Sequence, residues 1–93
     1  MLKVNEYFDG KVKSIGFEDD RGPATAGVME AGKYTFSTSS KELMIVVTGA
    51  LTIKRPEDAE WITFPAGESF HVPADVSFEV KVESSTAYIC RYG

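Results

Sequence analysis

The chain has 93 residues, 43% of them hydrophobic and 26% charged, and a formal net charge of −4 at pH 7. That is the size of one compact domain, so residues 1–93 are read as a single unit, and no run approaches the roughly 18 apolar residues that a membrane span needs. The acid excess disfavours DNA and RNA polymers, which are gripped through clustered Lys and Arg, but leaves open a small anion or a mononucleoside held by one or two cations.

Residues 11–17 alternate polar and apolar side chains as a half-buried strand does, and Glu18-Asp19-Asp20-Arg21-Gly22-Pro23 breaks the pattern with charge, Gly and Pro. Residues 25–29 form a short apolar run, and residues 33–38 alternate again, placing Tyr34, Phe36 and Thr38 on one face. Leu43-Met44-Ile45-Val46-Val47 is continuously apolar and is expected to be buried on both faces. Strand signals follow at residues 50–53, 61–64, 69–72, 76–82 and 86–92, separated by polar or Pro/Gly turns. Short strands at intervals of roughly 8 to 12 residues, with no helical stripe between them, predict an all-β sandwich or barrel.

Cys90 is the only cysteine, so no internal disulfide can form, and Met1-Leu2-Lys3-Val4-Asn5-Glu6 lacks an apolar signal core. A cytoplasmic location is the expectation. So small a β domain benefits from covering its strands, which makes a homodimer the expected assembly.

Glu42 followed after six residues by Gly49, and Pro65-Ala66-Gly67 followed by Phe70-His71-Val72-Pro73, resemble the two cupin motifs. The resemblance implies a single cupin-type double-stranded β-barrel, jelly-roll-like, with Gly49 and Gly67 in turns that need positive φ. It also places Phe36, Thr38, Glu42 and Phe70 at the metal-ligand positions of that family. One carboxylate cannot make a transition-metal site, so neither metal nor organic cofactor is expected. His71, the sole histidine, lies one residue beyond the ligand position and is expected to point away from the interior.

Asn5-Glu6-Tyr7-Phe8, the stretch from Gly10 to Phe17, Gly32-Lys33-Tyr34-Thr35-Phe36-Ser37-Thr38 and Tyr88-Ile89-Cys90-Arg91-Tyr92 resemble, in order and over nearly the whole chain, the bacterial pyrimidine/purine nucleoside phosphorylases. What the resemblance implies is a pentosyltransferase of nucleoside metabolism, cleaving several purine and pyrimidine nucleosides with inorganic phosphate to free base and pentose 1-phosphate. Such a reaction needs a phosphate site, a hydrogen-bonding group near the sugar and leaving base, and apolar surface for the rings. Glu42 and Arg91 are the candidate catalytic residues, and Arg91, Thr38 and Ser39 the candidate phosphate site. Arg91 sits in an apolar strand where an unpaired guanidinium is costly, although a structural ion pair with Glu42 or Glu79 would serve it equally. Tyr34, Phe36, Phe70, Phe78, Tyr88 and Tyr92 are the candidate base-binding aromatics, or simply core. Cys90 is expected to be a buried thiol and Glu18-Asp19-Asp20 a solvated turn. The rival readings are a metal-free cupin that binds or senses a small molecule without catalysis, and an interaction protein that matters only as an oligomer.

Overall fold

Ten strands and no helix make up the computed structural model, which describes residues 1–93. They are β1 (Lys3–Tyr7), β2 (Val12–Asp19), β3 (Gly22–Met29), β4 (Gly32–Ser37), β5 (Glu42–Thr48), β6 (Ala50–Lys54), β7 (Ile62–Pro65), β8 (Ser69–Val72), β9 (Ser77–Val82) and β10 (Thr86–Tyr92). No helix is long and apolar enough to cross a membrane.

A six-stranded antiparallel sheet runs β1-β2-β3-β10-β5-β8, and a four-stranded one runs β4-β9-β6-β7. Period-two alternation turns one face of each sheet toward the other. Val12, Met29, Met44, Val46, Phe70, Val72, Tyr88 and Cys90 from the larger sheet join Tyr34, Leu51, Ile53, Phe78, Val80 and Val82 from the smaller in one buried cluster of 14 residues. Each fully buried side chain of the size of Leu51 or Ile53 contributes about 1.5–3 kcal/mol. The two ladders remain separate sheets; loop bonds tie them where the chain crosses over, with Val76 N donating to Thr38 Oγ1 at 3.1 Å and Val46 N to Glu68 O at 2.9 Å.

The alternating segments fall where the sequence places them, and the punctuating glycines do as expected, with φ of 84° at Gly49 and 90° at Gly67. Three features differ. The hairpin β1–β2 begins with a strand that carries no alternation to detect, since β1 is exposed along nearly its full length. The Glu18–Pro23 break is narrower than its composition suggests, because Asp19 pairs with Gly22 and only Asp20 and Arg21 form the turn. Finally, β5 is not buried on both faces: Met44 and Val46 are, but Val47 is 54% exposed. The outer face of the large sheet is apolar yet uncovered within the chain, and the exposed Ile15 and Val28 belong to it too.

Candidate active site

Between the sheets, towards the side where β4 forms a free edge, lies a cavity of about 380 Å³. That volume falls within the range of small-molecule sites. Its aromatic walls are Phe8, Phe36, Phe78, Tyr88 and Tyr92, with Met29 and Met44 completing the apolar surface. Seven hydroxyl-bearing residues border it as well, Tyr7, Ser14, Thr25, Thr35, Ser37, Tyr88 and Tyr92, together with one carboxylate, Glu42.

Each side chain reaches the cavity for a local reason. Ser14 on β2, Gly27 on β3 and Tyr88 on β10 stand in one register row of the inner face, with Met29, Met44, Cys90 and Glu42 in the flanking rows. At the β1–β2 turn Phe8 and Asp9 both take left-handed backbone, with φ of 54° and 57°. For a bulky residue such as Phe8 that conformation is unfavourable by about 1 kcal/mol or more. Its ring is held against Tyr34 and Phe36, with centroids 4.9 and 5.4 Å away. The hairpin tip thereby closes one wall of the cavity against β4.

Glu42 is the electrostatic centre of the site. No Lys, Arg or His lines the cavity, and burial raises the Glu42 pKa above its ordinary value. The Cys90 thiol donates to Glu42 Oε1 at 3.5 Å. Burial, with the Glu42 charge adding to it, pushes the Cys90 thiol up to about 12, so it is a neutral donor rather than a nucleophile. Burial likewise pushes the Tyr88 phenol up to about 12 and raises that of Tyr92, which shares a 3.1 Å hydrogen bond with Thr25. The site can thus surround an uncharged ring system with apolar surface, offer hydroxyls to a polyol and present one carboxylate.

Of the residues singled out in the sequence, Glu42, Phe36, Phe78, Tyr88 and Tyr92 are brought together here. Tyr34 and Phe70 are not. Tyr34 is buried behind Phe8 and Phe36, its hydroxyl donating to Glu30 O at 2.6 Å, and Phe70 packs on Phe64 beneath the Arg55 guanidinium.

The expected phosphate trio does not assemble. Arg91 lies between Cys90 and Tyr92 on β10, so strand alternation turns it to the outer face. There its Nη2 and Nη1 grip Asp19 Oδ2 and Oδ1 at 2.8 and 3.1 Å. Its partner is neither Glu42 nor Glu79, because β2 brings Asp19 alongside the end of β10 through β3. The Thr38 hydroxyl is buried and spent on backbone, donating to Pro73 O at 2.7 Å and accepting from Val76 N at 3.1 Å. Ser39 is exposed and borders no part of the cavity. His71 is exposed on the outer face of β8, opposite Leu43.

Sequence reasoning missed Tyr7, Phe8, Ser14, Thr25, Met29, Thr35, Ser37, Met44 and Cys90 as lining residues. Met29, Ser14 and Met44 were legible from the parity of their strands. Tyr7 and Phe8 were not, because they act through a turn conformation that their side chains do not favour.

A profile of the pyrimidine/purine nucleoside phosphorylase family matches residues 2–92. The chain is 61% identical over 93 residues to a Magnetococcus marinus protein named pyrimidine/purine nucleoside phosphorylase, covering 100% of both. It superposes on the crystal structure of a Vibrio parahaemolyticus protein with a TM-score of 0.96 at 47% identity, covering 100% of this chain and 99% of that one. An RmlC-like cupin from Shewanella frigidimarina gives a TM-score of 0.71 at 18% identity, covering 96% and 80%, a likeness of fold alone. The cupin-type jelly roll inferred from the two motifs is the fold of this chain.

Proposed function

Since the chain belongs to the pyrimidine/purine nucleoside phosphorylase family, we propose that it cleaves purine and pyrimidine nucleosides with inorganic phosphate, yielding free base and pentose 1-phosphate. The observation that carries this reading into the structure is the cavity itself, aromatic on its walls, rich in hydroxyls and holding a single carboxylate. Phe36, Phe78 and Tyr88 grip the base rings, and the hydroxyls hold the pentose. As the glycosidic bond lengthens, positive charge develops at the anomeric carbon. An ionised Glu42 accepts hydrogen bonds from the sugar and stabilises that charge.

Phosphate is placed here at the free edge of β4, where Thr35 and Ser37 border the cavity and the strand's unpaired amides and neighbouring hydroxyls supply neutral donors. This replaces Arg91, Thr38 and Ser39: both Arg91 Nη atoms bond Asp19, the Thr38 hydroxyl bonds backbone, and Ser39 does not line the cavity. The cupin ligand positions, Phe36, Thr38, Glu42 and Phe70, offer one carboxylate and do not fit a metal, and no three His, Cys, Asp or Glu side chains converge elsewhere. The reaction is accordingly proposed to need no metal or organic cofactor. A homodimer that covers Ile15, Val28 and Val47 accounts for the exposed apolar face of the large sheet. In that dimer Val28→Asp would shift the sedimentation coefficient to that of a monomer.

The decisive experiment measures base release from uridine, adenosine and inosine by EDTA-treated protein, with and without phosphate. Phosphate-dependent release is expected. Release that ignores phosphate would make the protein a hydrolase, and none from any nucleoside would leave a binding or sensing module in its place.

A further inference from the structure

Against the ring of Tyr88, one of the aromatic side chains that line the cavity, lies Gly27 of β3. A Cβ placed on it would sit 2.5 Å from the Tyr88 hydroxyl oxygen and 2.6 Å from Cζ. No real Cβ tolerates such contacts. The phenol of Tyr88 therefore lies flat on the bare backbone of β3, reaching from its own strand β10 across Gly27 towards Ser14 on β2, its partners in the same register row. Tyr88 is buried, only 7% exposed, and lines the cavity. Gly27 has no turn to make, being mid-strand and outside the positive-φ glycines, so backbone freedom does not explain it.

We infer that Gly27 fixes the depth of the cavity, and with it the size of base the site accepts, by letting Tyr88 lie flat as its floor. This rests on the phosphorylase reading and adds a specificity-determining residue to it. A methyl at position 27 must shift the ring by about 1 Å to reach ordinary contact distance, and the cavity that Tyr88 lines is open space for that shift. A bicyclic purine would lose room before a monocyclic pyrimidine does.

The test compares kcat/KM for inosine, adenosine and uridine in wild type, Gly27→Ala, Tyr88→Leu and the double variant, each checked for folding by circular dichroism. Gly27→Ala is expected to lose about tenfold or more on the purine nucleosides relative to uridine, chiefly through KM, since shape discrimination of one or two methylenes is worth roughly 10–200-fold. Tyr88→Leu alone should move the ratio toward purines, and adding Gly27→Ala to it should change the ratio no further, because the ring that a Cβ at position 27 meets is gone. Equal losses on all three substrates, or a ratio that Tyr88→Leu leaves unchanged, would overturn the inference. Should Gly27→Ala fail to fold, the double variant, which lacks the clashing ring, should still fold and keep the ratio of Tyr88→Leu, and its failure as well would overturn the inference. A wild type that releases no base from any nucleoside removes the phosphorylase reading instead, a separate outcome.

Discussion

The two faces of strand β10 carry opposite electrostatics within three residues. On the inner face Cys90 and Tyr92 stand beside Glu42, a carboxylate without a cation, whose pKa burial drives up. On the outer face Arg91 clasps Asp19, whose carboxyl is held down to about 2, first by the Arg91 hydrogen bonds and then by the Arg21 amide. Both carboxylates sit near a strand terminus, in a molecule with excess negative charge. What separates them is partnership. Asp19 is satisfied and so serves the fold, whereas Glu42 is left with only a thiol donor and so retains capacity to act on something else.

The largest break in this comparison comes from Glu42→Gln. The change keeps the shape and removes the only charge lining the cavity, so kcat/KM for uridine is expected to fall by about 10²–10³, the usual worth of one transition-state electrostatic contact. Steady-state assays at saturating phosphate would show it, and a loss of less than about threefold would strip Glu42 of its role.

Next in size are the ring contacts. Phe36→Ala and Phe78→Ala each remove a wall from the cavity, and stacking of about 1–3 kcal/mol per base predicts a KM increase of roughly 5- to 150-fold. Phe70→Ala should destabilise the fold by about 3–5 kcal/mol, as Phe78→Ala also should since the two rings are equally buried, but without a selective effect on KM, because the Phe70 ring is spent on Phe64 and the core. Chemical denaturation run beside the kinetics separates the two patterns.

A third effect sharpens the comparison through pH. Because the folded pKa of Glu42 lies above its unfolded value of 4.5, the folded state binds the extra proton. The stability tied to that proton is fully present below about pH 4.5 and is lost as pH rises through the folded pKa. Glu42→Gln mimics the protonated form. Its melting temperature should match that of wild type near pH 4 and exceed it at neutral pH, as scanning calorimetry across that range would reveal.

These contrasts also mark what was legible in the sequence. Alternation, Gly and Pro placed nine of the ten strands, all but β1, and the inner face that carries Met44, Cys90 and Tyr88, because period-two burial is a local property of each segment. Glu42 was found by motif spacing. Arg91 was misplaced by the opposite choice, its chemistry being weighed before its parity, when Cys90 and Tyr92 already pointed inward. Thr38 had the right parity, but whether its hydroxyl was free depended on Pro73 and Val76, 35 and 38 residues away. The cavity's Phe8 wall depends on a strained turn that no local preference announces.

The smallest expected effect is also the one that tests the division of labour most directly. Arg91→Ala removes the outer clasp and no side chain that lines the cavity, so kcat/KM and the phosphate KM should stay within about twofold of wild type. Its cost should appear in stability alone, and only in one pH range. The folded Asp19 pKa of about 2 lies below its ordinary 3.8, so the ion pair contributes above roughly pH 4 and is lost as pH falls through 2. Wild type should therefore melt slightly higher than Arg91→Ala at pH 7, with the gap closing towards pH 2. A phosphate KM that rises tenfold or more in Arg91→Ala, with the fold intact, would mean that the guanidinium leaves Asp19 for the anion in the working enzyme, and the two faces of β10 would then act on one substrate rather than two separate tasks.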